Sequence, residues 1–188
     1  MEDEYDILAC PINCFLDTGD YINKFNCGID SINDFFSNKA MELDAINQAR
    51  TTIFFDKKNK KIVGFYTITT ASLIIEDKDN QIPKEIPVVN LSFLARDLFY
   101  KGKGFGNFMI NELYYSLTII SFSLGFSLLT TTALNSATDF YKSVGFSPVS
   151  VDPDKVEYWV EEFQMYINYE NMVQLAEYRP PLVDNVKS

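Results

Sequence analysis

Residues 91–106 read LSFLARDLFYKGKGFG. An apolar run suited to a buried strand ends at Asp97, glycines follow at positions 102, 104 and 106, and NFMINELYYSLTII from Asn107 onward has the periodicity of a helix. Glycines between a strand end and a helix start let the backbone turn sharply, approach a ligand without a Cβ in the way, and leave amide N–H groups free for an anion. A phosphate is the natural guest. A plain tight turn is the alternative, because glycine-rich strand-to-helix turns occur in many settings.

The spacing excludes two common phosphate loops. No Gly-Lys-Ser/Thr closes the stretch, as a Walker A loop requires, and the last glycines are too close together for the dinucleotide fingerprint. About thirty residues downstream stands a second segment, Asn135-Ser-Ala-Thr-Asp-Phe-Tyr141-Lys-Ser-Val-Gly145-Phe146. The two segments together resemble the GNAT superfamily of acetyl-CoA-dependent N-acetyltransferases. Gly104 and Gly106 occupy the glycine places of that family's Gln/Arg-x-x-Gly-x-Gly/Ala loop, and the downstream segment resembles its stretch ending in Tyr-x-x-x-Gly-Phe. Lys101 stands where Gln or Arg is usual, and a lysine keeps charge but not planar donor geometry; Thr138 stands where alanine is commoner. Phe25-Asn-Cys27-Gly28 and the helical pattern after it resemble one branch of the family, the acetyltransferase toxins of bacterial toxin–antitoxin pairs.

The resemblance covers roughly Phe25 to Tyr169 and implies an α/β (α+β) GNAT fold. Its mixed, mostly antiparallel sheet would have about six to seven strands, splayed between the strands holding Leu94 and Leu129, with helices on both faces. Acetyl-CoA (CoA) would enter the splay, its pantetheine amides meeting backbone groups of Leu94, Ala95 and Arg96. Those same donors would face the thioester oxygen. Lys101, Gly102, Lys103, Gly104, Phe105, Gly106 and Asn107 would cradle the pyrophosphate at the helix N-terminus. Asn135 would hydrogen-bond the cofactor arm. Tyr141 would be the general acid that protonates the departing thiolate, with a buried core tyrosine as the alternative. Asp97 reads equally as a base or water anchor and as a structural residue, and no other base is evident.

Composition bounds the rest. The 188 residues, 47% hydrophobic and 15% aromatic, suit one packed domain, expected over residues 1–170 with an acidic, proline-containing tail over 171–188. The longest apolar run, around SLTIISFSLGFSLLTTTAL, is interrupted by serine, threonine and glycine, so no membrane span is expected. The start, MEDEYDIL, is acidic where a secretory signal is basic; the expected location is cytoplasmic. Cys10, Cys14 and Cys27 are then expected to stay reduced. The absence of histidine argues against a metal site and removes the Ser-His-Asp and Cys-His machines. Net charge is −10. Residues 1–20 hold six acids and no base, and residues 150–188 hold eight acids against Lys155, Arg179 and Lys187. Such ends attract cationic partners and oppose broad nucleic-acid binding.

In chain order, a short strand and a loop are expected before Asn23. A helix capped by Asp30 or Ser31 should follow, burying Ile32, Phe35, Phe36 and Ala40. TTIFFDKKNKKIVGFYTITTA over 51–71 reads as a hairpin, with Lys57, Lys58, Lys60 and Lys61 as turn and edge charges or, alternatively, a phosphate contact. EDKDNQIPKEIP over 76–87 reads as a connector that its prolines bar from a central strand. Val88 to Asp97 should form the cofactor strand. A helix from about Gly104 to Phe122 should bury Phe105, Phe108, Met109, Leu113, Leu117 and Ile120. Residues 126–133 should form a strand, Ser136 to Val144 a helix capped by Gly145, and 147–151 and 162–169 two strands around a polar insertion. Function stays open among an N-acetyltransferase of a primary amine, a toxin-like enzyme acting on charged tRNA and held by an antitoxin, an acetylase of small amines (polyamines, aminoglycosides) or peptides, and a non-catalytic CoA-binding module. A homodimer would pool two basic strips.

Overall fold

The computed structural model describes residues 5–76, 83–149 and 162–177. The polar insertion after residue 149 and the Arg179-Pro180-Pro181 tail lie outside them. The elements are β1 (Ile7–Pro11), α1 (Asp30–Asn38), α2 (Ala40–Ala45), β2 (Arg50–Asp56), β3 (Lys61–Glu76), β4 (Pro83–Arg96), α3 (Phe105–Ile120), β5 (Leu128–Leu134), α4 (Thr138–Ser143), β6 (Ser147–Pro148), β7 (Glu162–Asn168) and α5 (Tyr169–Glu177). The strands form one sheet in the order β1-β2-β3-β4-β5-β7-β6. The chain divides into two compact units, Met1–Ala71 with Val89–Met109, and Ser72–Val88 with Ile110–Ser188.

In the first unit, β1 pairs antiparallel with β2 from Ile7↔Asp56 to Pro11↔Thr52. The expected hairpin is present, β2 pairing antiparallel with β3 from Arg50↔Ile68 to Asp56↔Lys61. Alternation along β2 and β3 sends side chains to two faces. On one face Ile53, Ile62 and Phe65 join Phe25, Phe35, Phe36 and Ala40 in a core, where the Phe36 and Phe65 rings stack at 4.1 Å and 5°. On the other face Phe54 meets Phe108 of α3 at 5.7 Å. Helices therefore cover both faces of this unit. The start of α1 departs from expectation: Ile29 occupies the N-cap and no side chain caps it.

Gly64 decides how closely β3 and β4 approach. A Cβ there would stand 2.4 Å from the Ala95 carbonyl and 2.6 Å from the Met109 sulfur, so no other residue fits without moving backbone.

In the second unit, β5 pairs antiparallel with β7 from Leu128↔Asn168 to Leu134↔Glu162, and β6 adds to β7 through Ser147↔Tyr166. Leu113, Leu117, Leu129, Met165, Ile167 and Met172 are buried. Of the α3 positions expected inside, Ile120 is instead 39% exposed, because it closes the helix, and Ile110 and Tyr114 are buried alongside the others. The segment expected as a connector is also corrected, since β4 already begins at Pro83 and lies between β3 and β5 in the sheet. Pro83 opens the strand, where a missing donor costs little. The Pro87 carbonyl accepts the Ser127 N–H at 2.9 Å.

Candidate active site

In the first unit β4 ends at Arg96, and Asp97 caps a 3₁₀ turn over Leu98–Tyr100. Asp97 is 4% exposed. One of its carboxylate oxygens accepts the Phe99 N–H and the other the Asn26 N–H, each at 2.9 Å, while its own N–H donates to the Val63 carbonyl at 2.8 Å. These bonds give Asp97 a structural role. Both oxygens are committed to the backbone, and the residue ties β3, the end of β4 and the Asn26 loop together. In that loop the Asn26 side-chain oxygen accepts from Gly28 N–H and from Asn33, whose own oxygen accepts the Cys27 N–H.

The glycine loop follows. Gly102 and Gly104 have φ of 77° and 81°, in the left-handed region that only glycine enters without strain. A Cβ built on either meets nothing within 4 Å. The Lys101 and Lys103 N–H groups donate to the Leu98 and Tyr100 carbonyls at 3.1 and 3.3 Å. Among the described residues, nothing accepts from the N–H of Gly102 or Gly104, and the first-turn donors Phe105, Gly106 and Asn107 lack partners within α3 by helix geometry. A row of unspent donors at the positive end of a 16-residue helix is an anion cradle.

The side chains divide by role. Phe105 is 7% exposed and packs edge-on against Tyr5 and Tyr100 at 5.0 and 5.1 Å, so its ring anchors the helix start while its N–H faces the cradle. Lys101 and Asn107 are exposed. The Lys103 ammonium lies 4.4 Å above the Phe99 ring. Arg96 folds back to donate to the Asp97 carbonyl at 2.8 Å. Leu94 is half-buried and Ala95 buried on β4.

In the second unit Asn135 opens a 3₁₀ turn, exposed, its carbonyl accepting the Thr138 hydroxyl at 2.9 Å. Tyr141 on α4 is 7% exposed. Burial raises its pKa, partly offset by a hydrogen bond between its hydroxyl and the Thr131 side chain of β5. The phenol is therefore held in the protonated form that an acid needs. Phe146 packs against the Tyr141 ring at 5.3 Å, and Gly145 ends α4 at φ 98°. The fully buried Tyr114 donates from its hydroxyl to the Val144 carbonyl at 2.7 Å, fixing the turn after Tyr141. Sequence reading missed Tyr114, which looked like one more aromatic in a helix. It also missed Gly64, for which a lone glycine inside a strand was the available signal.

No family model matches the chain. It is 22% identical over 143 residues to "Probable toxin TacT" of Sinorhizobium fredii, covering 69% of this chain and 79% of that protein. It is 25% identical over 139 residues to a tRNA-acetylating toxin of Mycobacterium tuberculosis, covering 71% and 82%. Among solved structures, a bacterial toxin superposes with a TM-score of 0.79 at 20% identity over 94% of this chain and 98% of that one. A tyrosine-to-phenylalanine variant of the toxin AtaT, bound to acetyl-CoA and the C-terminus of the antitoxin AtaR, superposes at 0.71 and 23% identity over 90% and 98%. AtaT complexed with acetyl-methionyl-tRNA superposes at 0.70 and 24% identity over 90% and 99%.

Proposed function

We propose that this chain, which has the fold of the GNAT acetyltransferases, transfers an acetyl group from acetyl-CoA to the amino group of an aminoacyl-tRNA. The observation that carries the first half is the cradle: glycines at φ 77° and 81° with unspent N–H donors and open space where a Cβ would be. The residues fit a pyrophosphate. Gly102, Gly104, Phe105, Gly106 and Asn107 offer backbone donors, and Lys101 and Lys103 offer charge. Bound there, acetyl-CoA supplies the activated thioester that a neutral amine attacks, with CoA as the leaving group. By the resemblance, backbone N–H groups near Leu94, Ala95 and Arg96 would stabilise negative charge on the thioester oxygen, Asn135 would hydrogen-bond the pantetheine arm, and Tyr141 would give its proton to the leaving sulfur and be restored by the proton the amine nitrogen releases.

The chemistry of the site bears on the acceptor. With Asp97 accepting two backbone N–H groups and no histidine in the chain, an amine that is already neutral is the better acceptor. An α-amino group, with a pKa of about 7.7–8.0, is neutral near pH 7.5 in a fraction roughly two orders of magnitude larger than a lysine-like amine of pKa ~10.4. That favours an aminoacyl group over polyamines and lysine side chains, and it agrees with the acetylated tRNA named for the M. tuberculosis relative. By the same likeness its partner is an antitoxin, as AtaT is bound to the C-terminus of AtaR. Among the described residues no helix is long and apolar enough to cross a membrane.

The net charge of −10 favours the competing reading, a cationic small amine. Labelled acetyl-CoA incubated with charged tRNAs, polyamines, aminoglycosides and basic peptides separates the two. Label on charged tRNA is the expected result, and label on polyamines or peptides with none on any charged tRNA at low salt overturns it.

A further inference from the structure

A cleft of about 130 Å³ opens in the first unit, lined by Tyr21, Lys24, Phe25, Asn59, Lys60, Lys61, Ile62 and Asp97. Sites for whole small molecules occupy roughly 300–1,000 Å³, so this one takes a single group of a larger ligand. Its charge says which group. Lys24, Lys60 and Lys61 border it, and none of the three forms an ion pair with a described residue. The facing carboxylate, Asp97, is already held by two backbone N–H groups. Lys57, next along the same turn, is instead paired with Asp6 at 3.5 Å.

The lysines are built into place. Asp56, fully buried, accepts the N–H groups of Lys58 and Asn59 at 3.0 and 3.2 Å and the Asn59 amide, and the turn so made carries Lys60 at φ 50°, an uncommon conformation for a lysine. Lys24 donates to the Gly19 carbonyl and lies 5.9 Å over the Tyr21 ring. Tyr21 is half-buried against Phe55, ring centres 4.9 Å apart. Lys61, which lines the cleft, and Lys103 of the glycine loop both lie over the Phe99 ring, at 5.7 and 4.4 Å. Lysines beside an aromatic platform are how proteins hold single-stranded nucleic acid.

We infer that the cleft of Tyr21, Lys24, Lys60 and Lys61 is a second anion site, separate from the Gly102–Gly106 cradle, that seats a backbone phosphate of the nucleic-acid acceptor. This rests on the aminoacyl-tRNA reading. The probe is a short labelled single-stranded RNA, titrated by anisotropy across a salt series against the parent, the triple variant Lys24→Gln/Lys60→Gln/Lys61→Gln, and Lys57→Gln. The triple variant should lose about tenfold or more in affinity and its log–log salt slope should fall by about 0.7 for each lysine that meets a phosphate, while Lys57→Gln stays close to the parent. Calorimetric affinity for acetyl-CoA should not change in the triple variant.

Two results overturn the inference and leave the acceptor reading standing: a triple variant that binds RNA as the parent does, or one that loses acetyl-CoA affinity but matches the parent with dephospho-CoA. The second assigns the cleft to the 3′-phosphate of the cofactor. A parent that neither binds the RNA at low salt nor acetylates any charged tRNA overturns both.

Discussion

Tyr141 is buried enough to be mistaken for core, yet it is a tyrosine where phenylalanine would pack equally well. Its hydroxyl has one evident partner, Thr131, and burial keeps its proton on. Tyr141→Phe is expected to lower turnover by about 10²- to 10⁴-fold and to lose roughly 1 kcal/mol of stability with the hydrogen bond, a shift of about 2–4 °C in Tm. Unchanged turnover in a steady-state assay would return the residue to the core. In the parent, loss of rate through Tyr141 deprotonation should appear only above the ordinary phenol value of ~10, since the shift is upward. Gly104 answers a different question. With φ 81° and no atom within 4 Å of its absent Cβ, Gly104→Ala should strain the backbone by only about 1–2 kcal/mol and keep the fold. It should nonetheless sharply weaken acetyl-CoA binding by calorimetry, because the methyl occupies the approach of the pyrophosphate. Binding equal to the parent's would reduce the loop to a turn.

At the scale of elements, the hairpin turn between β2 and β3 is fastened to the 3₁₀ turn before the glycine loop. The Tyr100 hydroxyl donates to Asp56 at 3.0 Å. Burial by itself would raise the Asp56 pKa, but hydrogen bonds from Asn59, Tyr100 and the Asp6 N–H outweigh it and hold the carboxyl below its usual range. A carboxyl depressed in the folded state contributes stability that is fully present above its unfolded pKa of about 3.9 and lost as pH falls through the lower folded value. Denaturant midpoints measured from about pH 6 down to pH 2 should therefore fall in the parent. Asp56→Asn should start less stable and show a smaller fall over the same window. An identical fall in both would assign the acid sensitivity to other carboxylates.

For the whole molecule, the C-terminal part of the second unit bears on where the domain ends. Tyr169 opens α5, shares a 2.8 Å hydrogen bond with the Ser121 hydroxyl and packs on Phe126 at 5.6 Å; Met172 is fully buried. A boundary at residue 170 would cut into this helix. Truncation after Asn168 should lower Tm by well over the few degrees of a surface change, and a truncated chain melting with the parent would show α5 to be dispensable. The charge of −10 acts at the same scale. It opposes a polyanion at long range, which salt screens beyond about 10 Å at 0.1 M, whereas the lysines of the first unit act at contact.

Local chemistry fixed much of this from the residues alone. The hairpin of β2 and β3, the helix starting beside Gly104, the Gly145 cap and the packed face of α1 all follow from periodicity and turn residues that report on their immediate neighbours. So did Gly102 and Gly104, because a left-handed backbone leaves a mark in residue type. Tertiary structure alone decided what depends on the far partner of a side chain. Asp97 clamps the Asn26 loop to the end of β4 because the Asn26 and Phe99 N–H groups both reach it. Pro83 and Pro87 belong to an inner strand, a place that only the order of the sheet shows. Lys24 joins Lys60 and Lys61 across a long gap in sequence, and Lys57 is spent on Asp6. A sequence shows which donors, acceptors and charges a chain carries, but their partners lie tens of residues away, and only folding brings them within the few ångströms over which a hydrogen bond or an ion pair acts.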